Sequence, residues 1–477
     1  MRMLYTIVVS MALWLFPPTA WGRSDLWPDS SASVGVCVLD VHTGAVVASC
    51  DDTRYFTPAS TQKLVTTATS LLCRGADYRF TTTVSYRGEI AQRGRLQGDI
   101  IVRGGGDPSL ASQYGGMPAD SFLRATVESI RAAGIRAISG RIIVDDGVVY
   151  PEPVVSKWLW EDVGNYYAAG CYGVNYADNR FVATYTTGAP DTRPQLRSVI
   201  PHIPGLRVHD YLTTNRSGID SAYIYGAPYD YTRRVYGSLP AHKEQFSIKG
   251  DMPDPPHYIA ALLTDTLRRI GVKVAGAPTT VRLLCEAGEA VPEGGERLLY
   301  THHSSPLVSL IAHTLAHSDN LYAEALLRDV ALTVDTVATL AGGVGQMLTM
   351  WREAGFPLDG ATLYDGSGLS PLNRITPLMM ARLLAHIART PGLSETFIHT
   401  LPHPGEGTLR RFMAHSPLAP ALWLKSGSMT AVQCYAGYFT PADRLYAVVV
   451  MVNHFTTPRA EVRDAIAQLL NRLLPRC

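Results

Sequence analysis

Three short polar patterns, lying far apart along the chain, constrain how it can fold. Each combines a hydroxyl group with a cation or an amide, and together they reach from the first part of the 477 residues to the last. The patterns are Ser60-x-x-Lys63, Ser318-Asp319-Asn320 and Lys425-Ser426-Gly427. If they act together, both ends of the chain belong to one folded unit, and the long segment between Lys63 and Ser318 leaves that unit and returns to it.

The first pattern lies at the start of a predicted helix. Pro58 precedes it, and the apolar residues that follow are spaced as on one helix face. Ser60 and Lys63, three positions apart, are then within reach of each other. A lysine with an ordinary pKa of about 10.4 is protonated at neutral pH. Lys63 can therefore activate the Ser60 hydroxyl only if burial or a second cation lowers its pKa, and Lys425 is the candidate for that cation.

The second pattern is a polar break between two predicted helices. Residues 306–315 and residues 321–332 are both apolar with helical spacing, and the pattern from Ser318 to Asn320 separates them. Serine, aspartate and asparagine also favour helix caps and turns, because their side chains form local hydrogen bonds. A purely structural turn is therefore the alternative to a catalytic role.

The third pattern is predicted to lie on the first strand of a β-hairpin. It stands between residues 422–424 and the apolar run 435–439, which turns into a second apolar run at 445–452. A glycine on a strand lets a substrate backbone approach closely, and a strand edge can pair with a peptide. The alternative is a solvated strand end.

Together the three patterns resemble those of the penicillin-recognising serine enzymes. Three further stretches narrow the resemblance to the D-alanyl-D-alanine carboxypeptidase and endopeptidase family, the low-molecular-mass class C penicillin-binding proteins of peptidase family S13. These stretches are residues 98–110 (GDIIVRGGGDPSL), 365–370 (DGSGLS) and 405–409 (GEGTL). The resemblance spans nearly the whole mature chain, including the long gap after Lys63, which holds extra domains in this family and is much shorter in β-lactamases.

The resemblance implies a catalytic role for the first two patterns. Ser60 would attack the carbonyl carbon of a D-Ala-D-Ala bond, and Lys63 would take its proton. Ser318 would pass a proton to the leaving amine, and Asn320 would orient Lys63 and the substrate amide. Water would then hydrolyse the acyl-enzyme.

The same resemblance implies how the substrate is held. Lys425 and Ser426 would bind its terminal carboxylate, and the backbone N–H groups of Ser60 and Ser428 would form the oxyanion hole. Asp145 and Tyr150 match positions that reach over the side-chain pocket in relatives. The substrate-binding residues implied are Ser426, Gly427, Met429, Asp145, Tyr150 and Leu369.

Two positions depart from the family pattern. Ser426 and Ser428 stand where threonine is frequent, which keeps both hydroxyl groups. Pro371 stands where several relatives carry an arginine that touches the substrate side chain. Preference for a stem peptide of the diaminopimelate type is therefore left open.

The function implied is that of a periplasmic D,D-peptidase acting on peptidoglycan stem peptides and crosslinks, with β-lactam antibiotics as covalent inhibitors. A serine β-lactamase is the first alternative, but it needs a deacylating base after Ser318, and the sequence offers no well-placed one. The stretch from Glu161 to Asn165 imitates such a motif but precedes Ser318, so it is interpreted as structural. A catalytically inactive cell-wall scaffold of the same fold is the second alternative.

Composition and the first residues agree with a secreted enzyme. A net charge of +1 gives no strong positive electrostatic field that would attract nucleic acid. Residues 1–22 are typical of a signal peptide, and no later stretch is apolar enough to span a membrane, so we expect a periplasmic product, soluble or loosely membrane-associated. No cofactor or metal is expected, because His313 and His317 lack the glutamate of H-E-x-x-H. Whether the chain forms a homodimer is left open.

Seven cysteines are scattered without a C-x-x-C pair, although an oxidising compartment permits disulfides. Cys37 and Cys50 flank a predicted hairpin, and the sequence leaves open whether they are bridged. The odd number leaves at least one thiol free or intermolecular, and the terminal Cys477 is the candidate.

The predicted fold is α/β (α+β), a penicillin-binding or serine β-lactamase-like transpeptidase fold with an antiparallel sheet flanked by helices and two inserted domains. A chain of this length holds two or three domains. Residues 23–84 and 297–477 are predicted to form the catalytic domain. Residues 85–185 and 247–296 are predicted to form a second domain, and residues 186–246 a nested third, β-rich domain.

Overall fold

The computed structural model describes residues 27–291, 294–356, 358–442 and 444–474. The predicted signal peptide at residues 1–22 and the terminal Cys477 lie outside the described residues.

Strands and helices alternate irregularly along the chain. The strands are β1 (Ser33–Asp40), β2 (Val46–Cys50), β3 (Thr81–Ala91), β4 (Arg95–Arg103), β5 (Ala137–Ile138), β6 (Ile142–Asp145), β7 (Arg180–Thr186), β8 (Gln195–Ile200), β9 (Arg207–Asp210), β10 (Thr213–Asn215), β11 (Tyr223–Tyr225), β12 (Thr232–Tyr236), β13 (Ser238–Pro240), β14 (Phe246–Asp251), β15 (Lys273–Val274), β16 (Thr279–Thr280), β17 (Glu296–His303), β18 (Leu422–Met429), β19 (Val432–Phe439) and β20 (Tyr446–Asn453). The helices are α1 (Lys63–Arg74), α2 (Ser121–Ala132), α3 (Pro255–Arg269), α4 (Val281–Glu286), α5 (Leu307–His317), α6 (Asn320–Ala331), α7 (Leu340–Glu353), α8 (Pro377–Arg389), α9 (Ser394–Ile398) and α10 (Arg459–Leu473).

The two ends of the chain meet in one antiparallel sheet with the order β18-β19-β20-β1-β2. β1 pairs with β20 along its whole length, from Ser33 opposite Asn453 to Asp40 opposite Tyr446. Strands β19 and β20 are buried throughout, because apolar layers cover both faces of the sheet. α1, α5 and α8 contribute to the layer on one face, and α10 contributes to the layer on the other.

The helix starts follow local sequence signals. Thr376 caps α8 by accepting a hydrogen bond from the backbone N–H of Met379 at 3.1 Å, and Pro377 occupies the first helical position. Asp254 caps α3 in the same way, with Pro255 at its first position. The apolar faces of α3 and α8 pack in the cores beside their sheets.

A second sheet has the order β15-β5-β4-β3-β17, with β6 beside β4 and β16 beside β6. It mixes antiparallel pairs, such as β3 with β4 and β17, and parallel pairs, such as β4 with β6. Three smaller sheets, β14-β7-β8, β11-β12-β9 and β10-β13, come from residues 180–251. One apolar core joins the second sheet, α3 and the smaller sheets.

The predicted domain boundaries fall inside strands. Positions 84 and 297 lie within β3 and β17, and positions 185 and 247 lie within β7 and β14. β3 and β17 run side by side, so the chain enters and leaves the second sheet through a paired crossing. The strand-like pattern continues through each predicted boundary, so no change of composition marks where one domain would end and the next begin. The division into three domains stays a prediction.

The bridged alternative for Cys37 and Cys50 is wrong. In the β1–β2 ladder Cys37 lies opposite Ser49, and Cys50 lies opposite Val36. Because neighbouring strand residues point to opposite faces, the Cys37 side chain enters the core on one face and Cys50 packs against the core on the other. The thiol of Cys37 is free, and burial raises its pKa to about 12.

We predict that Cys37 resists alkylation in the native protein and reacts fully after unfolding, because it is buried and protonated. Iodoacetamide labelling with and without denaturant, followed by peptide mass spectrometry, measures this. A peptide pair joined through Cys37 and Cys50 would contradict the strand register.

Candidate active site

A large cleft brings the three sequence patterns together. Its volume is about 930 Å³, and Ser60, Ser318 and Asn320 line it together with one face of β18. The sequence-predicted site residues on its wall are Ser60, Ser318, Asn320, Leu369, Ser426, Ser428 and Met429. Lys63 and Lys425 lie fully buried beneath this wall. The long segment between the patterns thus returns to the same site.

Ser60 lies in a tight 3-10 turn, Ala59–Gln62, that leads directly into α1. The prediction of a helix start is right, with one turn of tighter geometry in front of it. Ala59 has a φ of 46°, a left-handed conformation that costs energy for a residue with a side chain. Two glycines allow the chain to pack closely here. A side chain on Gly368 would collide with the carbonyl oxygen of Ala59, and one on Gly427 would lie 2.9 Å from the backbone nitrogen of Ser60.

Lys63 is the hydrogen-bond centre of the site. Its Nζ donates to Ser60 Oγ at 3.1 Å, to Asn320 Oδ1 at 2.6 Å and to the carbonyl oxygen of Ser367 at 2.6 Å. Burial lowers the pKa of Lys63 to about 8, and the nearby carboxylates of Asp365, Asp319 and Glu324 limit that decrease. The amine is therefore partly neutral near physiological pH, as a base towards Ser60 requires.

The carbonyl oxygen that binds Lys63 belongs to a loop organised by Asp365. This buried carboxylate accepts hydrogen bonds from five groups at 2.7–3.2 Å. The donors are the backbone N–H groups of Gly368 and Ser370, Asn373 Nδ2, Trp158 Nε1 and Gln62 Nε2. Trp158 comes from the long segment between the patterns, so that segment is joined directly to the loop that binds Lys63.

Glu324 supports the same loop from α6. Its Oε1 accepts hydrogen bonds from the backbone N–H groups of Gly366 and Ser367, both at 2.9 Å. Its Oε2 is paired with Arg328 at 3.1 Å in a fully buried ion pair. Sequence reasoning missed Glu324 and the role of Asp365. The stretch 365–370 carries the signal for a tight, anchored loop, a carboxylate followed by closely spaced glycines.

Lys425 is buried beside Lys63 and donates to the carbonyl oxygen of Ser426 at 2.6 Å. Burial, and then the charge of Lys63, hold the pKa of Lys425 well below its ordinary value. Of the two causes that the sequence leaves open for the lowered pKa of Lys63, burial is the main one. The repulsion between the two lysines instead contributes to the lowered pKa of Lys425.

The third pattern lies one strand earlier than predicted. β18 carries it, and a turn with Ala431 at a φ of 55° separates β18 from β19, so the predicted hairpin is formed by β19 and β20. β18 is an edge strand of the sheet, which leaves its other edge for a peptide. On its cleft side Ser426 Oγ donates to Thr408 Oγ1 at 2.7 Å, and Thr408 belongs to the GEGTL stretch.

The second pattern is both a helix junction and part of the site. Ser318 ends α5 in a left-handed conformation, with φ 60° and ψ 37°. Asp319 caps α6 by accepting a hydrogen bond from the backbone N–H of Tyr322 at 3.2 Å. Asn320 uses both ends of its amide: Oδ1 accepts from Lys63, and Nδ2 donates to the carbonyl oxygen of Tyr167 at 2.7 Å. The turn presents Ser318 and Asn320 to the cleft.

Asp145 and Tyr150 do not line the cleft, contrary to the prediction. Asp145 ends β6, where the parallel register places it beside Arg103, and the two form an ion pair at 2.9 Å. Tyr150 is 54% exposed, and its backbone N–H donates to the carbonyl oxygen of Ala338. Their positions follow from strand register and from a loop contact, neither of which a match of motifs detects.

Sequence reasoning also missed much of the cleft wall. The inserted segment contributes acidic and aromatic residues, and the regions after Gly407 and at the start of α10 contribute four arginines. These residues are Glu161, Asp162, Tyr166, Tyr167, Tyr223, Arg410, Arg411, Arg459 and Arg463. Glu161 and Asp162, interpreted from the sequence as structural only, thus face the cleft. Among the salt bridges of the described residues, none includes any of these arginines.

Within the part of the chain that the structure describes, no group of three or more histidine, cysteine, aspartate or glutamate side chains is arranged to hold a metal ion. No helix in the same part is long and apolar enough to cross a membrane.

Comparison with known proteins agrees with this geometry. The model of the D-Ala-D-Ala carboxypeptidase 3 (S13) family matches residues 25–473. The D-alanyl-D-alanine carboxypeptidase of Actinomadura sp. is 26% identical over 446 residues, which cover 91% of this chain and 80% of the relative. The D-alanyl-D-alanine carboxypeptidase DacB of Haemophilus influenzae is 26% identical over 452 residues, which cover 93% and 90%.

The fold has a solved counterpart. The crystal structure of penicillin binding protein 4 (dacB) from Haemophilus influenzae matches with a TM-score of 0.80 at 24% identity, over 93% of this chain and 97% of that one. The same protein complexed with a novel β-lactam matches with a TM-score of 0.76, over 93% and 96%. The predicted fold class and the predicted family are confirmed. The chain belongs to the D-Ala-D-Ala carboxypeptidase 3 (S13) family of serine peptidases.

Proposed function

We propose that the protein hydrolyses the D-Ala-D-Ala bond of peptidoglycan stem peptides, and the D-Ala to diamino-acid bond of crosslinks, through an acyl-enzyme on Ser60. Ser60 Oγ attacks the carbonyl carbon while Lys63 takes the hydroxyl proton. The amide C–N bond then breaks as Ser318 delivers a proton to the leaving amine. Water attacks the resulting ester and regenerates the Ser60 hydroxyl.

The observation that carries this proposal is the contact between Lys63 Nζ and Ser60 Oγ at 3.1 Å. The amine is fully buried, and its pKa is lowered to about 8. A general base works best when its pKa lies near the working pH and the proton is within hydrogen-bond reach. Lys63 meets both conditions without a histidine.

The position of β18 supports a substrate held as an added strand. Ser60 and Ser428 both line the cleft, and Gly427 keeps β18 close to the backbone nitrogen of Ser60. Their backbone N–H groups would stabilise the oxyanion. Lys425, Ser426 and the adjoining hydroxyl of Thr408 would receive the terminal carboxylate, and that negative charge would favour the protonated form of Lys425.

The size and charge of the cleft support an acidic peptide larger than a dipeptide. A volume of about 930 Å³ exceeds what a terminal D-Ala-D-Ala needs, and four arginines without carboxylate partners among the described residues line it. Stem peptides carry several carboxylates, which such arginines would neutralise. Pro371, which also lines the cleft, stands where several relatives carry an arginine. We infer that Arg459 and Arg463 supply part of the positive charge that such an arginine would provide.

A serine β-lactamase remains the alternative enzyme. It requires a carboxylate that activates water at the acyl-enzyme. Glu161 and Asp162 line the cleft, but no hydrogen bond among the described residues joins either of them to Ser60 or Lys63. Asp162 instead accepts a hydrogen bond from Tyr167 at 3.0 Å. The arrangement thus favours a long-lived acyl-enzyme with penicillin. We further propose that the protein works outside the cytoplasmic membrane, because its proposed substrate, peptidoglycan, is there.

The proposal is tested by the release of D-Ala from a diacylated L-Lys-D-Ala-D-Ala peptide and by the cleavage of crosslinked muropeptides. We expect the wild-type enzyme to cleave at least one of these substrates, and Ser60→Ala to cleave neither, because the nucleophile is removed. Ser217→Ala, in an exposed loop, is the control and should match the wild type. Equal release by Ser60→Ala would reject Ser60, and a silent wild type would favour the scaffold alternative.

The acylation rate should rise with pH and level off above about 8, because only the neutral amine of Lys63 can take the Ser60 proton. Below that pKa the neutral fraction changes about tenfold per pH unit. Asp319→Asn keeps a good helix cap but removes a negative charge that stabilises the ammonium, so the rising limb should move to lower pH.

The measurement is the second-order rate constant of benzylpenicillin acylation as a function of pH. Asp359→Asn removes an exposed carboxylate elsewhere, near Arg352, and should leave the profile in place. If the rising limb of the acylation profile keeps its position in Asp319→Asn, or moves to higher pH, the result would count against Lys63 as the base.

Gly427→Ala should slow acylation by about two orders of magnitude. The new methyl group would lie 2.7 Å from the carbonyl oxygen of Pro58 and 2.9 Å from the backbone nitrogen of Ser60, so β18 must move away from the nucleophile. Gly345→Ala on α7, where the added carbon meets nothing within 4 Å, is the matched control. Normal acylation by Gly427→Ala, measured by stopped-flow with a chromogenic penicillin, would refute this account of β18.

A further inference from the structure

A second hollow, lined largely by aromatic side chains, opens on the β-rich part of the chain. Its volume is about 420 Å³, and its walls include Trp160, Tyr225, Tyr236, Asp230 and Arg234. Trp160 is 61% exposed and Tyr236 is 44% exposed. A single exposed aromatic ring is ordinary, but a contiguous patch of accessible aromatic side chains often marks a binding surface.

The rings form a connected platform. Tyr236 stacks on Tyr211 with centroids 5.0 Å apart and planes 8° from parallel, and it meets Tyr225 edge to face at 5.7 Å. Trp160 lies 6.2 Å from Tyr225. Strand alternation explains the arrangement: Tyr225 and Tyr236 point outward, and their neighbours Ile224 and Val235 are buried. Strands β11 and β12 thus hold two of the four rings, Tyr225 and Tyr236, and Trp160 and Tyr211 join them from outside the strands.

The floor beneath the platform is buried and closely packed. Arg233 is fully buried and forms an ion pair with Asp251 at 2.6 Å. Its Nη1 also donates to the carbonyl oxygen of Asp230 at 2.5 Å, which fixes the turn that ends at β12. A side chain on Gly226 would collide with Arg233. A ligand would therefore meet a surface that loses little freedom when it binds.

The aromatic hollow adjoins the catalytic cleft through two segments that serve both. On β11, Tyr223 lines the cleft and Tyr225 lines the hollow. In the inserted segment, Leu159 and Glu161 line the cleft while Trp160, between them, lines the hollow. A ligand that continues beyond the peptide in the cleft would therefore reach the platform without leaving the protein surface.

We propose that this hollow binds the amino-sugar backbone of the glycan strand that carries the stem peptide. The inference rests on the proposed function, because it takes the occupant of the cleft to be a peptidoglycan peptide. Pyranose rings have apolar C–H faces that stack on indole and phenol rings. Their hydroxyl and acetamido groups would find hydrogen-bond partners in Asp230 and Arg234, which are exposed at the rim.

Chemistry favours a sugar over a protein partner here. The platform is aromatic with polar groups at its rim and offers little aliphatic surface, whereas the core of a protein interface is a larger, closely packed apolar patch. Its position beside the cleft also matches the covalent continuity of stem peptide and glycan.

The test is calorimetric binding of chitotetraose, a β-1,4-linked tetramer of N-acetylglucosamine, to the full-length enzyme. We expect the wild type to bind, and Trp160→Ala and Tyr236→Ala each to bind about tenfold more weakly, as is usual when an aromatic anchor is truncated. Tyr55→Ala removes an equally exposed ring outside the platform and is the matched control. Thermal melting of each variant shows whether its fold is retained.

A second readout compares kcat/KM for a glycan-linked stem peptide with kcat/KM for the free peptide. We expect this ratio to fall about tenfold in Trp160→Ala and to stay constant in Tyr55→Ala. Chitotetraose binding that depends on Trp160 supports the hollow even if peptide hydrolysis fails, so the two proposals can fail separately. Absence of binding to the wild type, or equal binding by Trp160→Ala, overturns it. A dimer that dissociates in Trp160→Ala, without sugar binding, assigns the platform to a second copy and also overturns it.

Discussion

The site depends on one buried amine. Lys63 Nζ binds the nucleophile candidate Ser60, the amide of Asn320 and the carbonyl oxygen of Ser367, and these three acceptors come from distant parts of the sequence. An ammonium is costly to bury unless it is well paired, so the pKa falls to about 8 and the group becomes available as a base. The carboxylates of Asp365, Asp319 and Glu324 keep the decrease moderate.

The long segment between Lys63 and Ser318 helps to form the surroundings of this amine. Trp158 donates to Asp365, which shapes the loop that binds Lys63, and the carbonyl oxygen of Tyr167 holds the amide of Asn320. The same segment places Trp160 beside the cleft. A change in the inserted segment would therefore alter the surroundings of Lys63.

The sequence predicted the family, the meeting of both chain ends and the assembly of the three patterns at one site, because these depend on short polar motifs at local helix and strand signals. It could not predict that Asp145 lies outside the cleft, because the strand register places Asp145 beside Arg103, with which it forms an ion pair. It could not place the arginines of α10 or the aromatic platform, because those surfaces form only when separate elements pack together. The sequence also left open whether burial or Lys425 lowers the pKa of Lys63, because the burial of a side chain depends on how separate elements pack.

The measurement that tests the central claim most directly is the mass of the intact protein over time with excess benzylpenicillin, followed by peptide mapping of the adduct. The account predicts one persistent adduct, located on Ser60 and absent from Ser60→Ala. An adduct on another residue, or none at all, would contradict Ser60 and Lys63 as the catalytic pair. An adduct that disappears within seconds while penicillin is consumed would contradict the peptidase assignment and support a β-lactamase.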